Sequence, residues 1–175
     1  MTQINNVTFI GMGLINSSLA RTLKKKKFYK HSVAISRRKS TIKKIKNLKI
    51  VDRVESDYKK AVEKADLIII GVPVNAYESI LEKIKNYLKP DVIITDVGSV
   101  KKSVIEIFKK KLPKKIIFIP GHPIAGTEKS GPEAGFDGLF KGGWCILTPE
   151  KKYNEPALEL IKKMWTIVGM KVDVM

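Results

Sequence analysis

The chain of 175 residues contains two histidines, and one of them, His122, stands between a glycine and a proline in the polar stretch Gly121-His122-Pro123-Ile124-Ala125-Gly126-Thr127-Glu128. Imidazole titrates near neutrality, so a histidine in this setting suits proton exchange with a bound hydroxyl. The other, His31, reads as part of a Tyr29-Lys30-His31-Ser32 turn with no chemistry around it. A second chemical signal opens the chain, where Val7–Ile10 runs into Gly11-Met12-Gly13-Leu14-Ile15-Asn16. Gly11 permits a tight turn at a strand end, and Gly13 lets the backbone approach a pyrophosphate. Leu14 and Ile15 then start a helix whose free N–H groups and positive dipole end face that anion. The pattern predicts a dinucleotide site. The third glycine of the usual fingerprint is Asn16 here, so Ser17 and Ser18 are expected to supply the small surface for helix-to-strand packing.

The cofactor's identity is read one strand later, at Ser36-Arg37-Arg38. Enzymes that use NAD place a carboxylate at this strand end, about twenty residues past the glycines, to accept hydrogen bonds from the adenine ribose. A carboxylate would repel the extra phosphate of NADP, whereas a small hydroxyl with two guanidinium groups can bind it. NADP is therefore the expected cofactor, with NAD as the alternative. Val72 and Pro73, and Gly98 within Asp96-Val97-Gly98-Ser99-Val100-Lys101, follow later apolar runs and fall along the expected path of the dinucleotide. The same edge should gather Ser99, His122, Thr127 and Glu128 at the nicotinamide end.

These residues need elements to hold them, and the chain supplies an alternation of short β-branched runs and longer amphipathic stretches. Expected strands are Val7–Ile10, Ser32–Ser36, Leu67–Gly71, Val92–Asp96, Ile116–Ile119, Trp144–Thr148 and Lys171–Val174, with a short one near Arg53–Glu55. Expected helices are Leu14–Lys26, Thr41–Lys46, Tyr58–Glu63, Ala76–Leu88, Lys101–Lys110 and Glu155–Val168, with Ser99 available to cap the one starting near Val100. The fold class is α/β: a doubly wound, mostly parallel sheet of the Rossmann type, forming one dinucleotide-binding domain over residues 1–175. Gly121–Gly143 is left as one long irregular stretch, of the kind that carries function.

Composition excludes several other classes. Apolar runs such as Leu67–Ile70 are far too short to span a bilayer, and residues 1 to 20 lack the layout of a secretory signal, so a cytoplasmic protein without a membrane partner is expected. Cys145 is the single cysteine, which leaves no disulfide and no cysteine metal knuckle; no metal is expected, and its flanks suggest a buried strand thiol. The net charge of +17 is scattered over lysine runs at helix ends, only Arg21, Arg37, Arg38 and Arg53 are arginines among 34 basic residues, and no aromatics interleave the runs. Base readout favours arginine and stacking rings, so no nucleic-acid partner is expected.

Taken together, Gly-Met-Gly-Leu-Ile at 11–15 with Ser18-Leu19-Ala20, Ala65-Asp66-Leu67 leading to Val72-Pro73-Val74, Asp96 to Lys101, and above all Gly121-His122-Pro123-Ile124-Ala125-Gly126-Thr127-Glu128-Lys129-Ser130-Gly131 resemble the nucleotide-binding domain of the prephenate/arogenate dehydrogenase family. The resemblance spans essentially the whole chain. It implies oxidative decarboxylation of prephenate, or of arogenate, in tyrosine biosynthesis. His122 would then act as general base, and Ser99 would hydrogen-bond the same substrate hydroxyl and orient the imidazole. Thr127 and Glu128 match positions near the substrate or its gate. It further implies a helical domain after this one, absent here, that forms a homodimer and supplies the cation for a substrate carboxylate. On that reading the isolated chain binds cofactor with little or no turnover, and a non-catalytic NADP(H)-binding module is the alternative.

Overall fold

An apolar run buried on both faces is the mark of a central strand in a parallel sheet. The computed structural model describes residues 4–175, so Met1–Gln3 of the expected domain and of the expected leaderless start lie outside the described residues. The opening run is β1 (Ile4–Ile10), followed in chain order by α1 (Leu14–Lys25), β2 (Tyr29–Ile35), α2 (Lys39–Leu48), β3 (Arg53–Glu55), α3 (Tyr58–Val62) and β4 (Leu67–Ile70). Next come α4 (Tyr77–Ile84), β5 (Ile93–Asp96), α5 (Lys102–Lys111) and β6 (Ile117–Ile119). These six strands form one parallel sheet in the order β3-β2-β1-β4-β5-β6. The winding reverses at β1, so a crevice opens at its carboxyl end between β2 and β4, and every following turn emerges on that same rim.

Period-two alternation divides the core into two layers. Leu67 and Ile69 of β4 join Phe9, Leu19, Leu23 and Ile45 under α1 and α2, while Ile68 and Ile70 join Tyr77, Leu81, Val104 and Phe108 under α4 and α5. All four β4 side chains are fully buried, each contributing about 1.5–3 kcal/mol of hydrophobic stabilisation. The final helix, α6 (Glu155–Ile167), closes the first layer with Trp165 edge-on to Phe140.

The remaining strands depart from expectation. Trp144–Thr148 and Lys171–Val174, expected in the wound sheet, form β8 (Trp144–Leu147) and β9 (Lys171–Val174) of a second sheet. Its third member is β7 (Gly121–Ile124), so the stretch left as irregular begins as a strand, antiparallel to β8. Pro120 alone separates β6 from β7, and the chain passes there from the parallel sheet into the second one. β7 is an edge strand, the setting in which Pro123 is tolerated. His31 lies on exposed β2 backbone rather than in a turn. Ser99 caps nothing: α5 starts at Lys102, and its N-cap position is Lys101.

Candidate functional site

The glycine turn is built by sterics. Gly11 has φ +87°, and a Cβ there would stand 2.5 Å from the Gly71 carbonyl oxygen and 2.6 Å from Val72 Cγ1. Only glycine fits both the left-handed backbone and the close approach of the turn after β4. Gly13 is the N-cap of α1, yet no side chain caps the helix, no acidic residue occupies its first turn, and a Cβ on Gly13 would meet nothing within 4 Å. A twelve-residue helix whose first turn has no side-chain cap leaves backbone N–H groups that can take an anion. The turn fits a pyrophosphate, with buried Leu14 and half-buried Ile15 fixing the helix start.

Asn16 corrects the expectation attached to it. Its Nδ2 donates to the carbonyls of Gly11 (2.8 Å), Ile10 (3.3 Å) and Ile69 (3.3 Å), so it ties the ends of β1 and β4 together. The space a fingerprint glycine would leave is supplied from the other side by Gly71, where a Cβ would stand 2.7 Å from Asn16 Nδ2. Ser17 and Ser18 give their small surface to the long loop. A Cβ on Gly135 would sit 2.6 Å from Ser17 Cβ, and the Phe136 N–H donates to Ser18 Oγ at 3.1 Å. The long loop therefore straps across the first turns of α1.

On the same rim, Ser36 follows β2 with its N–H bonded to the Glu55 carbonyl at 3.0 Å, and Arg37 and Arg38 are exposed beyond it. None of the ion pairs among the described residues includes either arginine. Val72 packs at the glycine turn and Pro73 is exposed beside it.

The feature that reading by motif missed is Asp96, a fully buried carboxylate at the end of β5. Its Oδ1 accepts the Gly121 N–H at 3.1 Å; its Oδ2 accepts the Gly98 N–H at 3.1 Å, the Tyr77 hydroxyl at 3.1 Å and the Lys101 ammonium. Lys101 also donates to the Gly121 carbonyl at 2.6 Å. Burial pushes the Asp96 carboxyl up, opposed by Lys101 and the two backbone N–H groups, and burial pushes Lys101 down, opposed by Asp96. The two amides and the ammonium can only donate, which is the setting of an ionised carboxylate. The available sequence signal was a carboxylate ending an apolar strand with a lysine five residues on.

The consequence is local order at the candidate catalytic residues. Ser99 and His122 each follow a glycine whose N–H is held by Asp96. Gly121 itself must be glycine, because a Cβ would stand 2.9 Å from the Asp96 carbonyl oxygen. His122 is half-buried on β7 opposite Ile146, on the sheet face that carries exposed Ile124 and Trp144. The neighbouring Cys145 points inward; burial pushes its thiol up to about 12. Thr127 and Glu128 lie past β7 on an exposed loop, where Thr127 Oγ1 accepts the Lys129 N–H at 3.2 Å, and no ion pair among the described residues includes Glu128. A cavity of about 390 Å³ lined by Asn6, Thr8, His31, Arg53, Lys60 and Lys64 lies towards the strands' amino ends, away from this rim. Among the described residues no three His, Cys, Asp or Glu assemble as a metal site, and no helix is long and apolar enough to cross a membrane.

Comparison with known proteins gives the same frame. Residues 19–174 match the family model for the prephenate dehydrogenase nucleotide-binding domain. Cyclohexadienyl dehydrogenase of Zymomonas mobilis is 39% identical over 178 residues, covering 100% of this chain and 59% of its own. The crystal structure of Aquifex aeolicus prephenate dehydrogenase in complex with hydroxyphenyl propionate and NAD+ superposes with TM-score 0.90 at 33% identity, covering 99% of this chain and 60% of that one. Synechocystis arogenate dehydrogenase superposes with TM-score 0.88 at 29% identity over 97% of this chain and 59% of that one. The chain thus spans about 60% of the length of these relatives. Sequence and fold agree, and the chain belongs to the prephenate dehydrogenase family, as its nucleotide-binding domain.

Proposed function

We propose that the full-length protein oxidatively decarboxylates prephenate to 4-hydroxyphenylpyruvate with NADP+ as cofactor, and that this chain is the cofactor-binding half. The observation that carries the reading is the shared anchor of the Ser99 turn and the His122 strand on Asp96, at the rim that also bears the glycine turn. When bound, the nicotinamide supplies the hydride acceptor. His122 takes the proton of the ring hydroxyl as general base, and Ser99 hydrogen-bonds the same oxygen and orients the imidazole. The ring carbon's hydrogen leaves as hydride and a ring ketone forms; the bond to the ring carboxylate then breaks, carbon dioxide departs, the bonding pair passes through the ring to the ketone oxygen as the ring becomes aromatic, and His122 returns its proton to that oxygen. Ile124, Trp144 and Ile146, on the face of His122, offer an apolar surface to a carbon ring. Thr127 and Glu128 border the substrate's entrance.

Replacing His122 by asparagine in the full-length protein is expected to lower kcat by about 10²–10⁴-fold or more with cofactor affinity unchanged. Unchanged turnover overturns the assignment and leaves a non-catalytic NADP(H)-binding module. Arogenate differs from prephenate only in its side chain, so parallel assays with both decide the substrate. The relatives are longer than this chain, which spans 59–60% of their length, so groups that complete the substrate site are expected from the rest of the full-length protein, and the 175-residue chain alone is expected to bind cofactor without normal turnover.

The preference for NADP+ rests on Ser36, Arg37 and Arg38 at the end of β2. Replacing both arginines by alanine is expected to weaken NADP+ by about 1.5–3 kcal/mol per lost charge-assisted contact and to leave NAD+ nearly unchanged. Equal affinities for the two cofactors, indifferent to the substitutions, would assign NAD instead.

A further inference from the structure

Asp96 is the one described side chain whose two carboxylate oxygens hold two segments on which the proposed chemistry depends. Oδ2 fixes Gly98, the residue before Ser99, and Oδ1 fixes Gly121, the residue before His122, although the two glycines are 23 positions apart in sequence. Two further donors, Tyr77 from α4 and Lys101 from the start of α5, fix the carboxylate itself. Lys101 closes the ring by donating to the carbonyl of the same Gly121. The strand end, the serine turn and the histidine strand therefore share one buried anchor.

We infer that Asp96 is a positioning residue that sets the separation and relative orientation of Ser99 and His122 by holding the backbone N–H groups of Gly98 and Gly121 on its two oxygens. The inference rests on the roles proposed above for Ser99 and His122. Its chemistry is specific to a carboxylate: an amide has a single acceptor oxygen, so asparagine at this position can hold one of the two N–H groups and must present an N–H to the other. Lys101, two residues after Ser99, also crosses to the histidine strand through the Gly121 carbonyl, and Tyr77 reaches only Asp96; among the described side chains it is Asp96 that accepts a backbone N–H from each segment.

The test is a double-mutant cycle in the full-length enzyme between Asp96→Asn and His122→Asn. Asp96→Asn is expected to lower kcat by about 10–100-fold, as loss of a supporting hydrogen bond or a displacement of about 1 Å does, with the KM for the dinucleotide unchanged within about twofold. In the His122→Asn background the same substitution is expected to add a clearly smaller loss than it causes in the wild type, because one of the two groups whose relative placement it sets is already gone. Since Asp96→Asn leaves the Lys101 ammonium buried without its counter-charge, the variant Asp96→Asn/Lys101→Met is measured beside it: both charges are removed, folding is retained by circular dichroism, and kcat stays low. Full multiplicative loss in the His122→Asn background, or recovery of wild-type kcat in the Asp96→Asn/Lys101→Met variant, overturns the positioning role. If His122→Asn itself leaves turnover intact, the proposed general base is what fails, so the two failures are told apart.

Discussion

At the residue scale, two side chains carry predictions that do not depend on the proposed activity. The Asn16 amide makes three backbone hydrogen bonds at a buried position, and Gly71 exists to admit it. Asn16→Ala leaves carbonyls of β1 and β4 short of a donor and is expected to cost about 1–3 kcal/mol in urea unfolding. Gly71→Ala pushes a methyl group into the same amide and is expected to destabilise by a similar amount, about 1–3 kcal/mol. A wild-type unfolding midpoint for both variants would show that the amide is not a tie between the strands. Cys145 is fully buried with its thiol raised to about 12. Little thiolate exists at neutral pH, so a thiol reagent is expected to label it only as the chain unfolds; rapid stoichiometric labelling of the native protein is the contrary result.

At the scale of elements, the turn before β4 is tied to β1 through a titratable group. Asp66 accepts the N–H groups of Asn5 at 3.1 Å and Asn6 at 2.8 Å and pairs with Lys89. Burial pushes its carboxyl up, but Lys89 and the two N–H groups outweigh this, and the net shift is below the ordinary 3.8. A carboxyl lowered in the folded state contributes stability that is present above its unfolded value and lost as pH falls through the folded one. Asp66→Asn is therefore expected to lower Tm at pH 7, with the gap to wild type narrowing below about pH 4 as the native carboxyl protonates. A gap that stays constant down to acid pH would remove the linkage. The strap of the long loop over α1, held by Phe136 on Ser18 and by the Lys44–Glu133 and Lys25–Asp137 pairs, belongs to the same scale. It ties the loop that bears Thr127 and Glu128 to the helix that follows the glycine turn.

For the molecule as a whole, the charge of +17 is the property most open to misreading. It predicts attraction to any polyanion at low salt, but a scattered lysine surface gives no base readout. Binding to a labelled oligonucleotide, followed by anisotropy, is expected to vanish by physiological salt; nanomolar binding that persists there would make nucleic acid a genuine partner. Dinucleotide affinity should fall far less steeply with salt, since few phosphate charges are neutralised.

The sequence by itself determined the wound sheet and its rim. Apolar runs alternating with amphipathic stretches specify parallel strands with helices on both faces, and a parallel sheet sends every turn after a strand to one edge. Gly11, Ser36, Val72, Gly98 and Pro120, each just past a strand, share that edge for this reason. These features are local, written in neighbouring residues. The tertiary structure alone decided three others. β7 is a strand because β8 pairs with it, although its own Gly-His-Pro-Ile reads as loop. Asn16 replaces a glycine because Gly71, on another strand end, gives up the space. Asp96 joins Ser99 to His122 because β5 and β7 meet there. Each depends on a contact between residues far apart in the chain, and the spacing of types along a sequence records which residues can form an element but not which distant partner will complete it.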